Sequence, residues 1–189
     1  HRRQRQMCIR DRWENEQIQS LYEKNINEFI VDKTGSILGS IESSNSDNYT
    51  IYQSKENDKV TGYAIPIAGK GLWGTMYGYF AIEPDAETVK GITFYRHKET
   101  PGLGAEVDKE WFQSNFVGKK LIDTSGSLVS VEVVKGYVSN ADPKAMHKVD
   151  GISGATITGK GLTTFLKNDL QKYEPYLSKV RKLNQIESL

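Results

Sequence analysis

The sequence predicts an α+β fold, a largely antiparallel twisted sheet flanked by helices with a long amphipathic helix at the N-terminus, on three observations. Five runs rich in β-branched and aromatic residues begin at positions 49, 60, 73, 87 and 127, with turn residues between them. The first four have no helical stretch between them, so each strand is expected to pair with its neighbour in sequence. Apolar patterns of helical period lie outside that block, before it at 13–31 and after it at 107–116, 162–173 and 176–183.

Taken in chain order, residues 1–12 (HRRQRQMCIRDR) are rich in arginine and lack the apolar run of a secretion signal. They read as a disordered tail or a cloning remnant. From Trp13 to Val31, Ile18, Leu21, Tyr22, Ile26, Phe29 and Ile30 recur near the helical period and predict the amphipathic helix. The Gly, Ser and Asn of residues 34–48 read as a linker, so 13–48 is expected to be a stalk helix and linker ahead of a domain spanning 49–189. The strands are expected at YTIYQ (49–53), VTGYAIPIAG (60–69), WGTMYGYFAI (73–82), ETVKGITFYRH (87–97) and SLVSVEVVKG (127–136). Glu56-Asn57-Asp58, Gly69-Lys70-Gly71 and Pro84-Asp85 supply turns between them. The 162–173 helix puts Leu162, Phe165, Leu166, Leu170 and Tyr173 on one face, which should pack on the sheet.

Composition removes several function classes. At 189 residues with a formal net charge of +1, the chain can bury one core and shows no basic excess for nucleic acid. Its single cysteine, Cys8, cannot form an internal disulfide or a thiolate metal cluster. His1, His97 and His147 have no metal-ligand spacing, so no metal site is expected, and His97 reads as a hydrogen-bonded loop residue. Glu83 and Asp85 flank Pro84 as an exposed turn. No window of eighteen apolar residues occurs, so no membrane-spanning helix is expected within this stretch. There is no nucleophile elbow and no cysteine–histidine pairing, and no catalytic residue is assigned.

Three segments carry potential chemistry. DGISGATITGKGL (150–162) sets an acid, glycines and hydroxyls just before a helix, whose first amides and partial positive charge suit a phosphate. The same small polar residues could equally do no more than cap the helix. Gly159-Lys160-Gly161 is not a P-loop, because no Ser or Thr follows the lysine. HKETPGLGAEV (97–107) is a strand-to-helix loop whose glycines would let backbone approach a flat ligand. In AGKGLWGTMYGYFAI (68–82), Trp73, Tyr77 and Tyr79 could wall a ring or simply pack across strands.

These residues resemble a known family. Asp150-Gly151-Ile152-Ser153-Gly154-Ala155-Thr156 resembles the D-x-x-S/T-G-A-T signature of FMN-binding domains, at which a flavin transferase attaches FMN through a phosphoester to the last threonine. Glu99-Thr100-Pro101-Gly102-Leu103-Gly104 is similar to the second hallmark of that family, which lies along the isoalloxazine ring. Gly71-Leu72-Trp73-Gly74 followed by MYGY is similar to the C subunits of sodium-translocating NADH:quinone oxidoreductases, and less to the G subunits of Rnf complexes.

The likeness covers roughly residues 15–175. It implies that Thr156 takes the FMN phosphoryl from FAD with AMP leaving, and that Ser153, Gly154, Ala155 and Thr158 cradle the diester. It implies that Glu99, Thr100, Gly102 and Leu103 line the ring, with Leu72 and Trp73 on another side. The implied role is an electron relay without independent turnover, in a complex that couples NADH:ubiquinone reduction to sodium transport. Electrons would arrive from an iron–sulfur centre in neighbouring membrane subunits and leave to the FMN of the B subunit, with the B, D and E subunits as partners. The resemblance further implies a spanning helix ahead of the domain, in the bacterial inner membrane, with the domain on the periplasmic side.

Overall fold

The computed structural model describes residue 17 and residues 19–39 and 47–187. The arginine-rich start, Trp13 and Ile18 lie outside the described residues. Residues 19–25 form a short helix, α1, after which the chain becomes extended as β1 (Ile26–Asp32). The helix expected to reach Val31 is therefore corrected to a strand from residue 26 onward. Phe29, Ile30 and Val31 are consecutive and all buried, an apolar run that suits a strand covered on both faces as well as it suits a helical stripe. Asp32 ends the strand by accepting the amides of Thr34 (2.8 Å) and Ser36 (2.9 Å), which turns the chain into β2 (Ile37–Gly39) inside the segment expected to be linker.

The next four strands fall where alternation places them: β3 (Asn48–Glu56), β4 (Lys59–Lys70), β5 (Thr75–Ile82) and β6 (Val89–Arg96). The sheet order is β2-β1-β3-β4-β5-β6, with each neighbouring pair antiparallel. The sheet thus begins at residue 26 rather than at 49. Its inner face supplies Ile51, Ile65, Ile67, Phe80 and Ile82 to the core.

The helix expected at 107–116 is three short turns: 3-10 segments Gly104–Asp108 and Ser114–Phe116 on either side of α2 (Glu110–Gln113). Lys109 is extended (φ −83, ψ 140) and interrupts them, while Val107, Phe112 and Phe116 all reach the core. The run at 127–136 yields only β7 (Glu132–Val133), which pairs in parallel with β8 (Lys148–Val149). Packing holds this run more than a ladder does: Val131 is buried outside any strand, and Val133, the one valine of the run in the β7–β8 pair, is buried against the same core.

The two helices expected at 162–173 and 176–183 are one, α3 (Thr156–Glu187), which passes through Pro175. Tyr173, Tyr176, Leu177 and Val180 continue the buried stripe across the proline, so packing overrides its helix-breaking tendency. Among the described residues no helix is long and apolar enough to cross a membrane.

α3 lies close against β4 where two glycines allow it. A Cβ added to Gly161 would stand 2.3 Å from the Lys70 carbonyl oxygen, and one added to Gly69 would stand 2.1 Å from Phe165 Cβ. Alanine at 161 should therefore destabilise the fold by about 1–3 kcal/mol despite its better helix propensity, because backbone must move. Thermal denaturation checks this, and an unchanged or raised Tm would contradict the close packing.

Candidate functional site

The segment leading into α3 is held from below by the loop after β7. Val134 donates its amide to Val149 O, Gly151 donates to Gly136 O (2.7 Å), and Val138 donates to Asp150 Oδ1 (2.7 Å). Asp150 is thus a loop clamp. Gly151 has no room for a side chain, since a Cβ there would sit 2.1 Å from Val134 O. The chain then turns through Gly154 (φ +74), a left-handed conformation that favours glycine, and α3 begins at Thr156.

The start of α3 is uncapped. Gly159 N donates to Ala155 O, the residue just ahead of the helix, which leaves the amides of Thr156, Ile157 and Thr158 without helical acceptors. The residue at the N-cap is Ala155, among the poorest choices for that position, and among the described residues no side-chain oxygen accepts those three amides. Capping by the neighbouring Ser and Thr, one of the two readings of this segment, is therefore absent. Thr156 is half-buried, and its hydroxyl has no hydrogen-bond partner among the described residues. It borders a cleft of about 640 Å³ lined by Lys135, Tyr137, Ser153, Gly154, Ala155, Thr156 and Lys160. That volume lies within the roughly 300–1,000 Å³ usual for small-molecule sites. Neither Lys135 nor Lys160 has an ion-pair partner among the described residues, and with Glu132 also on the lining the cleft carries two ammonium groups and one carboxylate beside the open helix end.

Thr158 does not face this cleft. It is 1% exposed and donates its hydroxyl to Glu99 Oε2 at 2.6 Å, so its side chain joins the start of α3 to the 99–104 loop rather than lining the cleft. Glu99 is likewise buried, 6% exposed, and its other oxygen accepts the Trp73 amide at 3.0 Å. One carboxylate thereby ties the 71–74 turn and the 99–104 loop to the first turn of α3. The joint is tight: a Cβ on Gly71 would stand 2.6 Å from Glu99 Oε1, and one on Gly104 would stand 2.5 Å from Oε2. Glu99 meets backbone and hydroxyl partners rather than presenting its carboxylate to a ring.

Behind it, the Glu99 amide donates to His97 Nδ1 (3.1 Å), and His97 Nε2 donates to Asp108 Oδ2 (2.6 Å). His97 is the hydrogen-bonded loop residue expected. The 99–104 loop closes on itself, with the Leu103 and Ala105 amides both donating to Thr100 O, and Gly102 at φ +73 makes the turn. This presents Leu103 above the signature segment: a Cβ on Gly154 would stand 2.6 Å from Leu103 Cδ2. Leu72, Trp73, Leu103 and Ile157 are exposed large apolar side chains around these segments. An exposed apolar rim beside an open, positively charged helix end suits a planar ligand that carries a phosphate.

The structure thus brings Asp150, Ser153, Gly154, Ala155, Thr156, Leu103, Gly104, Glu99 and Thr158 into one connected region, with Leu72 and Trp73 joined to it through Glu99. Lys135, Tyr137, Ile157 and Lys160 were not singled out from sequence. Lys160 was accessible to such reasoning, because it lies four residues after Thr156 on the same helix face. Lys135 and Tyr137 carried no local signal, since the approach of their loop to residue 151 is a tertiary event.

Comparison with known proteins gives a consistent picture. The profile of the FMN-binding domain matches residues 71–171. The chain is 42% identical over 135 residues to the C subunit of the Na(+)-translocating NADH-quinone reductase of Pseudomonas aeruginosa, covering 70% of this chain and 51% of that protein. It is also 42% identical over 142 residues to the protein of the same name from Chlamydia muridarum, covering 69% of this chain and 45% of that protein. The chain therefore spans about half the length of the curated relatives it matches. The crystal structure of the corresponding protein from Parabacteroides distasonis superposes with a TM-score of 0.75 at 34% identity, covering 85% of this chain and 82% of the other. The crystal structure of Shewanella oneidensis NqrC gives a TM-score of 0.76 at 26% identity, covering 87% and 88%.

Proposed function

Because the chain belongs to the FMN-binding domain family, we propose that it is an electron-transfer subunit holding FMN covalently through a phosphoester on Thr156. The observation that carries this reading is the uncapped start of α3, where three amides lack acceptors and the partnerless hydroxyl of Thr156 borders a cleft of about 640 Å³. On the same reading it works within a sodium-translocating NADH:quinone reductase, the complex for which its relatives are named. There it takes electrons from an iron–sulfur centre in neighbouring membrane subunits and passes them to the flavin of the B subunit. The domain then sits on the periplasmic side of the inner membrane and needs a flavin transferase to mature.

In the loading step, Thr156 Oγ1 bonds to the FMN phosphorus of FAD as the pyrophosphate bridge breaks. AMP departs with the bridging oxygen, and the hydroxyl proton is lost to base or solvent. The diester that results keeps one negative charge, which the amides of residues 156–158 and the ammonium groups of Lys135 and Lys160 stabilise. Leu72, Trp73 and Leu103 shield the ring from water, and Glu99 holds their segments in register. The flavin supplies the redox chemistry, while the protein sets its position and surroundings. Tethering suits a relay that performs no turnover alone, since a carrier that exchanges electrons with two partners must not lose its cofactor.

Coexpression with a flavin transferase tests the proposal. The tryptic peptide containing Thr156 should gain the mass of FMN less water, and the denatured band should fluoresce. Unlabelled peptide under those conditions, with a control substrate labelled in the same cells, would refute it.

A further inference from the structure

The sheet face opposite α3 is a second unusual surface. Along β3, β5 and β6, outward positions carry Tyr52, Tyr79, Tyr77 and Tyr95, and their rings form one chain: Tyr52–Tyr79 at 5.8 Å, Tyr79–Tyr95 at 5.6 Å and Tyr77–Tyr95 at 6.4 Å between centroids. The floor between them is small or flat, with Ala64, Pro66, Ala81 and Gly91 at the intervening paired positions.

A bulge completes the surface. Tyr77 pairs with Arg96 while Gly78 pairs with Phe94, so Tyr95 and Arg96 together oppose Tyr77. Strict alternation would send Arg96 to the core side; the extra residue instead re-aims it outward beside Tyr95. Its guanidinium carbon lies 4.2 Å from the Tyr77 ring centroid, which holds the cation in place on the aromatic face. Arg96, Lys98, Trp73, Tyr77 and His97 border a groove of about 470 Å³ at the end of this stripe. Neither Arg96 nor Lys98 has an ion-pair partner among the described residues, whereas His97 is committed to Asp108. Trp73, 65% exposed, and Tyr95, 63% exposed, stand open on either side.

We propose that this tyrosine stripe and its groove are the docking surface for an acidic segment of the protein that exchanges electrons with this domain. Tyrosine, tryptophan and arginine are the residues that anchor protein interfaces, and the two unpaired cations select carboxylates. A membrane surface is disfavoured, since lipid-binding patches use about four to eight cations and this one has two. The position fits the task, because Trp73 belongs both to the groove and to the rim of the proposed cofactor site; to that extent the proposal rests on the electron-relay reading.

The test uses the complete assembly in its membranes, with p-benzoylphenylalanine introduced at Tyr95 and irradiated in place. The expected product is a crosslink to another protein of the assembly, mapped by mass spectrometry to a peptide rich in Asp and Glu. Arg96→Glu combined with Lys98→Glu should cut its yield about tenfold, and rising salt should weaken it in the same direction. A crosslink to lipid, to a second copy of this chain or to a peptide without acids overturns the proposal, as do no crosslink and one indifferent to charge reversal. In-gel flavin fluorescence of the same samples is read separately: a crosslink failure with the label intact sinks the docking surface alone, whereas a missing label sinks the cofactor reading.

Discussion

Replacing Thr156 with alanine should remove covalent flavin completely, while serine at the same position should retain it. The argument is stoichiometric: one oxygen forms the ester, alanine has none, and serine has it in the same place on the helix. Folding should hardly respond. Thr156 is half-buried at the first position of α3 and has no side-chain hydrogen bond to lose, so about 1 kcal/mol or less is at stake. That separates a chemical loss from a structural one. The measurement is in-gel fluorescence and intact mass after coexpression with the transferase, alongside thermal denaturation of both variants. Alanine material that still carries the mass of FMN would show that another residue bears the ester. Serine material devoid of label with an unchanged Tm would show that the site reads more than a hydroxyl.

The fold was legible where one face is buried and the other open. In β5, Met76, Phe80 and Ile82 alternate with Thr75, Tyr77 and Tyr79, and such a pattern has no good helical alternative. It was illegible where both faces are covered, as at Phe29-Ile30-Val31, because a continuous apolar run carries no period. It was also misleading at 127–136, where only Glu132 and Val133 join a ladder and Val131 is buried outside it, and at Pro175, where a long buried stripe outweighs one lost hydrogen bond.

The site divides in the same way. Thr156 was singled out by the likeness of 150–156 to a family signature, and the glycines of both segments by local demands, seen in the positive φ at Gly102 and Gly154. The roles of Asp150, Glu99 and Thr158 were not, because each is defined by a partner distant in sequence. Asp150 holds Val138, and Glu99 meets Thr158 across 59 residues.

That last pair sets the second large effect. Glu99→Ala should lower stability by about 2–4 kcal/mol, since the deletion strands the buried Thr158 hydroxyl and the Trp73 amide and opens a cavity between Gly71 and Gly104. For a chain of this length that is roughly a 5–15 °C fall in Tm. Glutamine should be milder, because its oxygen can still accept from Trp73 N while its amide nitrogen donates to Thr158 Oγ1, the hydroxyl exchanging donor for acceptor. The order wild type, Gln, Ala distinguishes a clasp from a general intolerance of change at 99.

A double-mutant cycle with Thr158→Val isolates the contact: a coupling of about 1 kcal/mol or more is expected, and additivity within a few tenths would mean the two groups act independently. The clasp also predicts a functional signature apart from stability. In flavin-loaded Glu99→Ala held well below its Tm, the loops of Trp73 and Leu103 are no longer tied to α3, so the ring should become more accessible to a soluble quencher such as iodide. Unaltered quenching would assign Glu99 to stability alone and leave the rim to be positioned by the sheet beneath it.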